Sequence, residues 1–497
     1  MQYEATQCVV NSDRYAFLLD AATGTGKTAI AAATQILLHS NATYICRTKQ
    51  LQEQVLADFP YARLLKGRTN YRCQLQPDRF PDVTADDCIG EHCVKRNSCD
   101  YKMAKAGALA SPLAVLNTAY FLTEANYVGG FTDILLLVAD EVDTLELELL
   151  DFIQVVITQR QLDRLHIEPP RFKTKFEAWL EWAQSALPAI ETAVDELAEE
   201  LTKISSSASI FWSRGQLDAL RRKKQFERLL GKLRFFVSAV DKTWVWYPET
   251  QKWTFKPVWI SGYAAKNLWR HTTRVLGMSA TILDPLQLSR NIGLQTSSVD
   301  YLVLPSQFPT QNRPIIYRPA ANLTAKTMVS ELPKLACEVE RILAQHPNEK
   351  VLCHTVSYKV RDYLLTNIRS KRLLTHNVAD RQEKLRAFKN SEQPLVLLSP
   401  SMERGIDLPD SNCRVIIVCK LPFPDLSDPQ ISQRLYASKD GKQWYAHRVA
   451  SSLIQMTGRG MRSTTDYCKS YILDEQFERF MSSHRGLFHQ WWLDAVQ

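Results

Sequence analysis

Ala21-Ala22-Thr23-Gly24-Thr25-Gly26-Lys27-Thr28 decides the fold. The octet follows an apolar run, Tyr15-Ala16-Phe17-Leu18-Leu19, that reads as a strand, and it leads into Ala29-Ile30-Ala31-Ala32-Ala33, which reads as a helix. A glycine-rich stretch between a strand and a helix is a phosphate-binding loop. Gly24 and Gly26 let the backbone fold around phosphate oxygens, and the helix N-terminus adds its partial positive charge. Thr23, Gly24, Thr25 and Gly26 would cradle the phosphates, Lys27 would reach the β/γ-phosphates, and Thr28 would hold Mg²⁺. The strict pattern wants Gly at the first position, where Ala21 stands.

The 497 residues exceed one domain and suggest about three. An apolar fraction of 45% and a charged fraction of 23% are those of a soluble globular chain. No apolar run approaches the roughly 18 residues of a membrane span, and Met1-Gln2-Tyr3-Glu4 lacks a signal segment, so the expectation is a cytosolic protein. A net charge of +8 permits a nucleic-acid partner without demanding one.

Short apolar runs alternate with helical stretches: Tyr15–Leu19, Thr43–Cys46, Ile134–Ala139, Arg274–Gly277, Val351–His354, Leu395–Leu398, Arg414–Cys419 and Ser470–Leu473. That alternation predicts parallel α/β sheets. Two α/β domains with a boundary near residue 284 fit it, the second following the proline-containing stretch 304–319. Two segments interrupt the pattern. Residues 66–112 hold clustered cysteines. Residues 146–262 are mainly helical, with apolar residues at helical spacing over 175–203 and again over 217–240. The latter carries the basic run Arg221-Arg222-Lys223-Lys224, read as a solvated helix face. Trp244 to Phe255 alternates like a hairpin around Pro248-Glu249-Thr250, and its tryptophans read as core.

Asp140-Glu141 ends the run Ile134–Ala139. An Asp at a strand end near a phosphate loop can hold Mg²⁺, and the adjacent Glu can deprotonate an attacking water. Gly277-Met278-Ser279-Ala280-Thr281 ends another strand, and its small hydroxyl residues could couple phosphate loss to domain movement. Glu403-Arg404-Gly405-Ile406-Asp407 follows a strand of the second half, with Gly405 and Asp407 as further nucleotide contacts. Gln455-Met456-Thr457-Gly458-Arg459-Gly460-Met461-Arg462 reads as a helix start, from which Arg459 and Arg462 could reach the γ-phosphate as arginine fingers beside Gln455.

Cysteine usage in a cytosolic chain of eleven argues against disulfides. Seven are scattered, mostly in apolar runs, as inert core residues. Cys73, Cys88, Cys93 and Cys99 are clustered, with 14, 4 and 5 residues between them. Four close thiolates suit zinc or an iron–sulfur cluster, and spacing alone leaves both open.

Read together, these segments resemble the XPD/DinG family of iron–sulfur DNA helicases in helicase superfamily 2. Lys66-Gly67-Arg68-Thr69-Asn70-Tyr71-Arg72-Cys73 resembles the family's approach to its cluster domain; Cys99-Asp100-Tyr101 and Leu116-Asn117-Thr118-Ala119-Tyr120 resemble its exit. Thr48-Lys49-Gln50-Leu51-Gln52-Glu53-Gln54, Ser306-Gln307-Phe308-Pro309 and Leu421-Pro422-Phe423-Pro424 also match family signatures. The resemblance implies two RecA-like motor domains (1–65 with 113–145 and 263–284; 285–497), an iron–sulfur insertion (66–112) and a helical arch insertion (146–262). It tips the four cysteines to a [4Fe–4S] cluster. It implies an ATP- and Mg²⁺-dependent monomer moving 5′→3′ on single-stranded DNA, with 5′-tailed or forked DNA as substrate. Departures are Asp143, where the family has His, and Asp474-Glu475-Gln476, where Asp-x-Arg is usual; no clear adenine-reading glutamine precedes the loop, Gln7 being a weak candidate.

Lys66, Arg68, Tyr71, Arg72, Lys95 and Arg96 mix basic and aromatic character and read as a DNA-facing surface. The leading reading is an ATP-dependent DNA helicase. The alternatives are a translocase that does not separate strands, a non-motor DNA-binding module with a nucleotide switch, and a redox sensor.

Overall fold

The computed structural model describes residues 1–75, 77–88, 93, 96–206, 213–401, 408, 410–437, 439–461 and 465–497, without the side chains of 96, 203–206, 410, 437 and 439. Two parallel sheets organise it. The first has seven strands in the order Val299–Leu304, Ala16–Ala21, Val275–Ser279, Leu136–Asp140, Ala42–Cys46, Leu113–Asn117 and Arg63–Leu65. The second has six: Ile315–Ala321, Lys469–Asp474, Val415–Val418, Val351–His354, Val396–Ser399 and Leu373–Thr375. All eight runs expected as strands are strands. Ala16–Ala21 is buried along its whole length, as a strand covered by helices on both faces must be.

Sheet membership moves the boundary expected near 284. Val299–Leu304 pairs in register with Ala16–Ala21, from Ala16 opposite Val299 to Ala21 opposite Leu304. The chain therefore leaves the first sheet only after Leu304 and enters the second at Ile315. The helix Pro285–Asn291 lies on the first side of this crossing, opened by Asp284, whose carboxylate accepts from the Gln287 N–H at 2.9 Å.

Both expected interruptions leave the first sheet. Residues 66–112 depart after Arg63–Leu65 and return in the adjacent strand Leu113–Asn117. The second departure starts later than residue 146. Helix Leu145–Ile153 buries Leu145, Leu149 and Leu150 in the core of the first sheet. The excursion proper comprises the antiparallel sheet Val155–Thr158, Lys252–Pro257 and Trp244–Glu249 and two long helices, Phe176–Ser206 and Arg214–Ala239. Trp179, Trp253, Phe236 and Phe255 fill their shared core. Trp244 and Trp253 are core residues as expected, whereas Trp259 packs edge-on against Trp444 of the second half.

Register brings the chemistry to one edge. Asp20 lies opposite Ser279, and Asp140 opposite Met278. The carboxyl ends of three neighbouring strands thus form one row, the position at which open α/β sheets bind ligands.

Candidate nucleotide site and cysteine domain

The phosphate loop turns at Gly24 and Gly26, whose φ angles are +83° and +81°, a left-handed backbone that glycine adopts without strain. Helix Lys27–Leu37 begins directly after it. The Lys27 ammonium lies within the loop and donates to the Ala21 carbonyl at 2.9 Å. Gln2 donates to the Thr25 carbonyl at 3.0 Å. This glutamine, rather than Gln7, touches the loop, and nothing in the sequence singled it out. Phe308 of the Ser306–Pro309 signature also packs here: a Cβ on Gly24 would stand 2.3 Å from the tip of its ring.

Asp140 ends its strand beside Lys27 and Thr28. Its Oδ2 accepts from the Tyr44 hydroxyl at 2.8 Å and its Oδ1 from the Glu141 N–H at 2.9 Å. Burial pushes the Asp140 carboxyl above its usual range against the opposing pull of Lys27 and these hydrogen bonds. Burial and the Asp140 charge push the Tyr44 phenol well up, while a Thr28 hydrogen bond works the other way. Thr28, Tyr44 and Asp140 therefore meet at one spot, where Thr28 and Asp140 supply the oxygen donors that Mg²⁺ prefers. Glu141 adopts φ +50° and turns the chain into Val142–Thr144.

Across the cleft stands the Gln455–Met461 segment. It forms the C-terminal end of helix Lys439–Thr457 and the turn after it, not a helix start. The helix runs on from Lys439 because its buried side, Val449, Ala450 and Leu453, packs on the second sheet. A chain of polar contacts joins the two halves. Asp143 accepts from Ser279 Oγ at 2.6 Å and Thr281 Oγ1 at 3.0 Å. Thr281 Oγ1 accepts from Gln455 Nε2 at 2.9 Å, and Gln455 Oε1 accepts from Arg459 at 3.3 Å. Asp143 thus occupies its departure from the family pattern as the acceptor for both hydroxyls of the Ser279–Thr281 turn. Behind Arg459, burial and the arginine's charge lower the His354 imidazole to about 3. Asp474 is fully buried and accepts from the Leu421 N–H at 2.9 Å and the Gln476 N–H at 3.1 Å, so its carboxylate organises backbone. Gly405, Asp407 and Arg462 lie outside the described residues.

Cys73, Cys88, Cys93 and Cys99 are all half-buried. Burial raises the Cys73 thiol, and the neighbouring Cys93, Cys88 and Cys99 raise it further, which brings all four within electrostatic reach of one another. Among the described residues no group of three or more side chains is arranged as a metal site. Four grouped thiols are nonetheless the donor set that an iron–sulfur cluster takes.

Basic side chains near the cysteines have partners within the protein. Arg68 lies over the Tyr101 ring at 5.1 Å, Tyr71 meets Tyr101 edge-on and bonds the Lys66 N–H, and Arg72 donates to the Pro77 carbonyl. Arg68, Tyr71 and Arg72 thus have partners within the domain; Lys95 and the side chain of Arg96 lie outside the described residues. Arg221 and Lys224 are not solvated either. Arg221 grips Asp87 at 2.8 and 3.2 Å and Asp82 at 3.1 Å, Lys224 bonds the Asp86 carbonyl, and Arg228 pairs with Asp86 at 2.7 Å. Leu217 and Leu220 pack with Phe80 and Val83 beneath them. Beside this contact opens a cavity of about 1040 Å³ whose wall includes Arg160, Arg164, Lys232, Tyr127, Phe152 and Phe235.

Two parallel sheets facing across a phosphate loop, an acidic strand end and an arginine-bearing segment define a two-domain RecA-like fold with a candidate nucleotide site. Two family models match parts of the two halves of the chain. The family described as "Type III restriction enzyme, res subunit" matches residues 1–141, and "Helicase C-terminal domain" matches 339–495. The fold is that of a solved structure titled XPD_Helicase, with a TM-score of 0.66, 15% identity and 98% coverage of both chains. It is also that of S. tokodaii Xpd4, with a TM-score of 0.62, 14% identity and coverage of 100% of this chain and 99% of that one. ATP-dependent DNA helicase CHL1 of Saccharomyces cerevisiae is 21% identical over 33% of this chain and 22% of its own length. A regulator of telomere elongation helicase 1 homolog of Drosophila ananassae is 31% identical over 16% and 9%, and a Fanconi anemia group J protein homolog of Gallus gallus 25% over 22% and 10%. The matched stretches span about a fifth or less of these curated relatives. Among the described residues no helix is long and apolar enough to cross a membrane.

Proposed function

We propose that this chain is an ATP-dependent DNA helicase that translocates 5′→3′ on single-stranded DNA, acting as one chain on 5′-tailed or forked substrates. The observation that carries the reading is the continuous polar path from Asp143 through Thr281 and Gln455 to Arg459, which ties the phosphate loop's side of the cleft to the arginine side. The similarity to an ATP-dependent DNA helicase of Saccharomyces cerevisiae supports DNA as the substrate.

In this reading Lys27 and the loop N–H groups hold the β/γ-phosphates of ATP. Thr28 and Asp140 hold Mg²⁺, which neutralises phosphate charge when bound. Glu141 orients the attacking water and accepts its proton as the bond to the γ-phosphorus forms and the β–γ bridging bond breaks. Arg459, with Arg462, adds positive charge from the second domain as charge builds on the transferring group. Residues 66–112 act as the cluster domain and the excursion that begins at Val155 as the arch domain, and their contact through Arg221 helps bound the large cavity as a channel for one strand. Cys73, Cys88, Cys93 and Cys99 hold a [4Fe–4S] cluster, which supplies a rigid four-point cross-link for a domain with little regular structure.

The test is a Lys27→Ala variant beside the wild-type chain, both prepared anaerobically, assayed for DNA-stimulated ATP hydrolysis and for unwinding of 5′- and 3′-tailed duplexes. Loss of hydrolysis by at least roughly 10²-fold and wild-type unwinding only from the 5′ tail are expected; undiminished turnover in the variant refutes the site, and strand displacement from the 3′ tail alone refutes the polarity. Iron and sulfide in equal amounts support the cluster, and stoichiometric zinc without colour refutes it.

A further inference from the structure

One helix of the second half holds both roots of the long excursion. The excursion leaves the first half after helix Leu145–Ile153, whose Leu149 and Leu150 lie in the first sheet's core, and the chain rejoins that core at Ile260. Helix Pro429–Ala437 of the second half docks at this junction. Its Arg434 pairs with Glu146 at the departure and donates to the Val258 carbonyl at the return. The same guanidinium lies 4.7 Å from the Trp259 ring and 4.8 Å from the Trp444 ring, and the Trp444 indole also donates to Glu146 at 3.2 Å. Further contacts follow along the excursion's hairpin. Gln430 donates to the Pro257 carbonyl at 2.7 Å, and the Tyr247 hydroxyl donates to Asp428, just ahead of the helix, at 2.6 Å.

Glu146 and Arg434 are 4% and 3% exposed. Two charges so placed are tolerated only while they stay paired, since parting them strands each without water. The halves therefore do not separate here. When the cleft between the phosphate loop and Gln455–Met461 opens or closes, the second half turns about this joint, as a hinged domain turns about a few fixed residues. Residues 247–259, bonded to the turning helix, are carried with it. The large cavity is shared between Thr158, Arg160 and Lys232 of the excursion and Ala119, Thr123 and Glu148 of the first half, so the turn alters its width.

We propose that Arg434 is a positioning residue, the pivot between the two halves and the tie of the excursion to the second, so that closure of the cleft moves the wall of the large cavity. Arginine is the side chain this joint needs. Its planar fork serves a carboxylate and a carbonyl at once while its faces lie against two indoles, which the single ammonium of a lysine cannot do. This inference rests on the nucleotide site proposed above and names how the state of that site reaches the excursion.

The test places a donor and an acceptor fluorophore, carried by unnatural amino acids, at Gln54 of the first half and Asp195 of the excursion, both exposed. Energy transfer is read with and without a non-hydrolysable ATP analogue in wild type, in Arg434→Lys and in a Tyr247→Phe, Gln430→Ala double variant. Basal ATPase, unwinding and amide exchange over 244–259 are measured beside it. Transfer in the wild type should shift when the analogue binds. Arg434→Lys should lose about half of that shift or more, keep basal ATPase within about threefold and lose unwinding roughly tenfold, with faster exchange over 244–259. The double variant keeps the Glu146 pair but frees the hairpin, so its shift should shrink as well. An undiminished shift in either variant overturns the proposal, and so does a wild type that binds the analogue without a shift. Should Arg434→Lys not fold, the double variant decides alone. A wild-type chain that binds no nucleotide would instead refute the function proposed above, and unaltered exchange over 244–259 in Arg434→Lys would still overturn the joint.

Discussion

His354 closes its strand with an imidazole that is almost wholly buried, and its Nε2 has no acceptor or donor among the described residues. Burial, and then the charge of Arg459, lower it from the ordinary value of 6.5 to about 3. A base lowered on folding stays neutral in the native chain while the unfolded chain takes up a proton. Stability from this residue is therefore complete above pH 6.5 and is lost as the pH falls from there towards 3, by about 1.4 kcal/mol per pH unit. Urea unfolding at pH 7 and pH 5 should show His354→Leu losing about 2 kcal/mol less than wild type over that interval; equal losses would mean that the native imidazole is protonated. Residues such as Lys27, Thr28, Asp140 and Glu141 were legible because the chemistry needs them contiguous, on one loop or one strand end. Gln2, Tyr44 and Phe308 on Gly24 were not, because each reaches the site only through pairing of distant strands or a late return of the chain. The single-residue departures behave differently from one another: Asp143 finds new partners in Ser279 and Thr281, while Asp474 is absorbed into holding backbone.

Helix Arg214–Ala239 shows how far an element's surface can mislead when read alone. Its run Arg221-Arg222-Lys223-Lys224 has the look of a solvated face, yet Arg221 and Lys224 meet Asp82, Asp86 and Asp87 more than 130 residues away in sequence. The acidic partners were in view in the sequence; the docking that joins them was not, since it depends on how two separate excursions leave the first sheet. Burial of Asp87 would raise its carboxyl, and Arg221 holds it below the usual range nonetheless. A bidentate, partly buried pair of this kind should show a coupling of about 1–2 kcal/mol in an Arg221→Ala, Asp87→Ala double-mutant cycle. Amide exchange over 82–88 should rise in Arg221→Ala while exchange in the first sheet stays constant; unaltered exchange over 82–88 would mean that Leu217, Leu220, Phe80 and Val83 hold the contact without the ions. Strands were the most legible elements, because a strand buried on both faces must be a short continuous apolar run. Those that went unseen are edge strands or lie outside the parallel sheets, except Leu113–Asn117, an inner strand between Ala42–Cys46 and Arg63–Leu65. Val299–Leu304 exposes Tyr301 and Val303, and Ile315–Ala321 carries Pro319, which only an edge tolerates. Missing the first of these displaced the expected domain boundary.

At the scale of the molecule the two halves meet through buried polar contacts rather than an apolar face alone. Glu146 pairs with Arg434 and accepts from the Trp444 indole at 3.2 Å, Asp284 accepts from Gln443 at 2.7 Å, and Asp20 meets His489. Contacts of this sort are directional, so they hold one relative position of the sheets well and others poorly, as the proposed motor would require. One such path runs from the acidic strand end itself: Asp143 to Ser279 and Thr281, Thr281 to Gln455, Gln455 to Arg459, with Ser451 of the same helix reaching Asp143 at 3.5 Å. Asp143 follows the proposed base Glu141 by two residues but bonds the Ser279–Thr281 turn and, at 3.5 Å, Ser451 of the second half, so it is a positioning residue and not a catalytic one. Its removal should leave nucleotide binding and the chemistry of the first half in place while breaking the link by which the second half registers them. For Asp143→Ala, DNA-independent ATPase is expected within about threefold of wild type, with stimulation by single-stranded DNA down roughly tenfold and unwinding lost, a coupling of about 1–3 kcal/mol. Asp143→Asn, which still accepts a hydrogen bond, should fall between the two. Equal losses of basal and stimulated turnover would show that Asp143 merely supports the fold of the Ser279–Thr281 turn, and full DNA stimulation in Asp143→Ala would show that the halves communicate by another route, with the Glu146–Arg434 and Asp20–His489 contacts next to be broken.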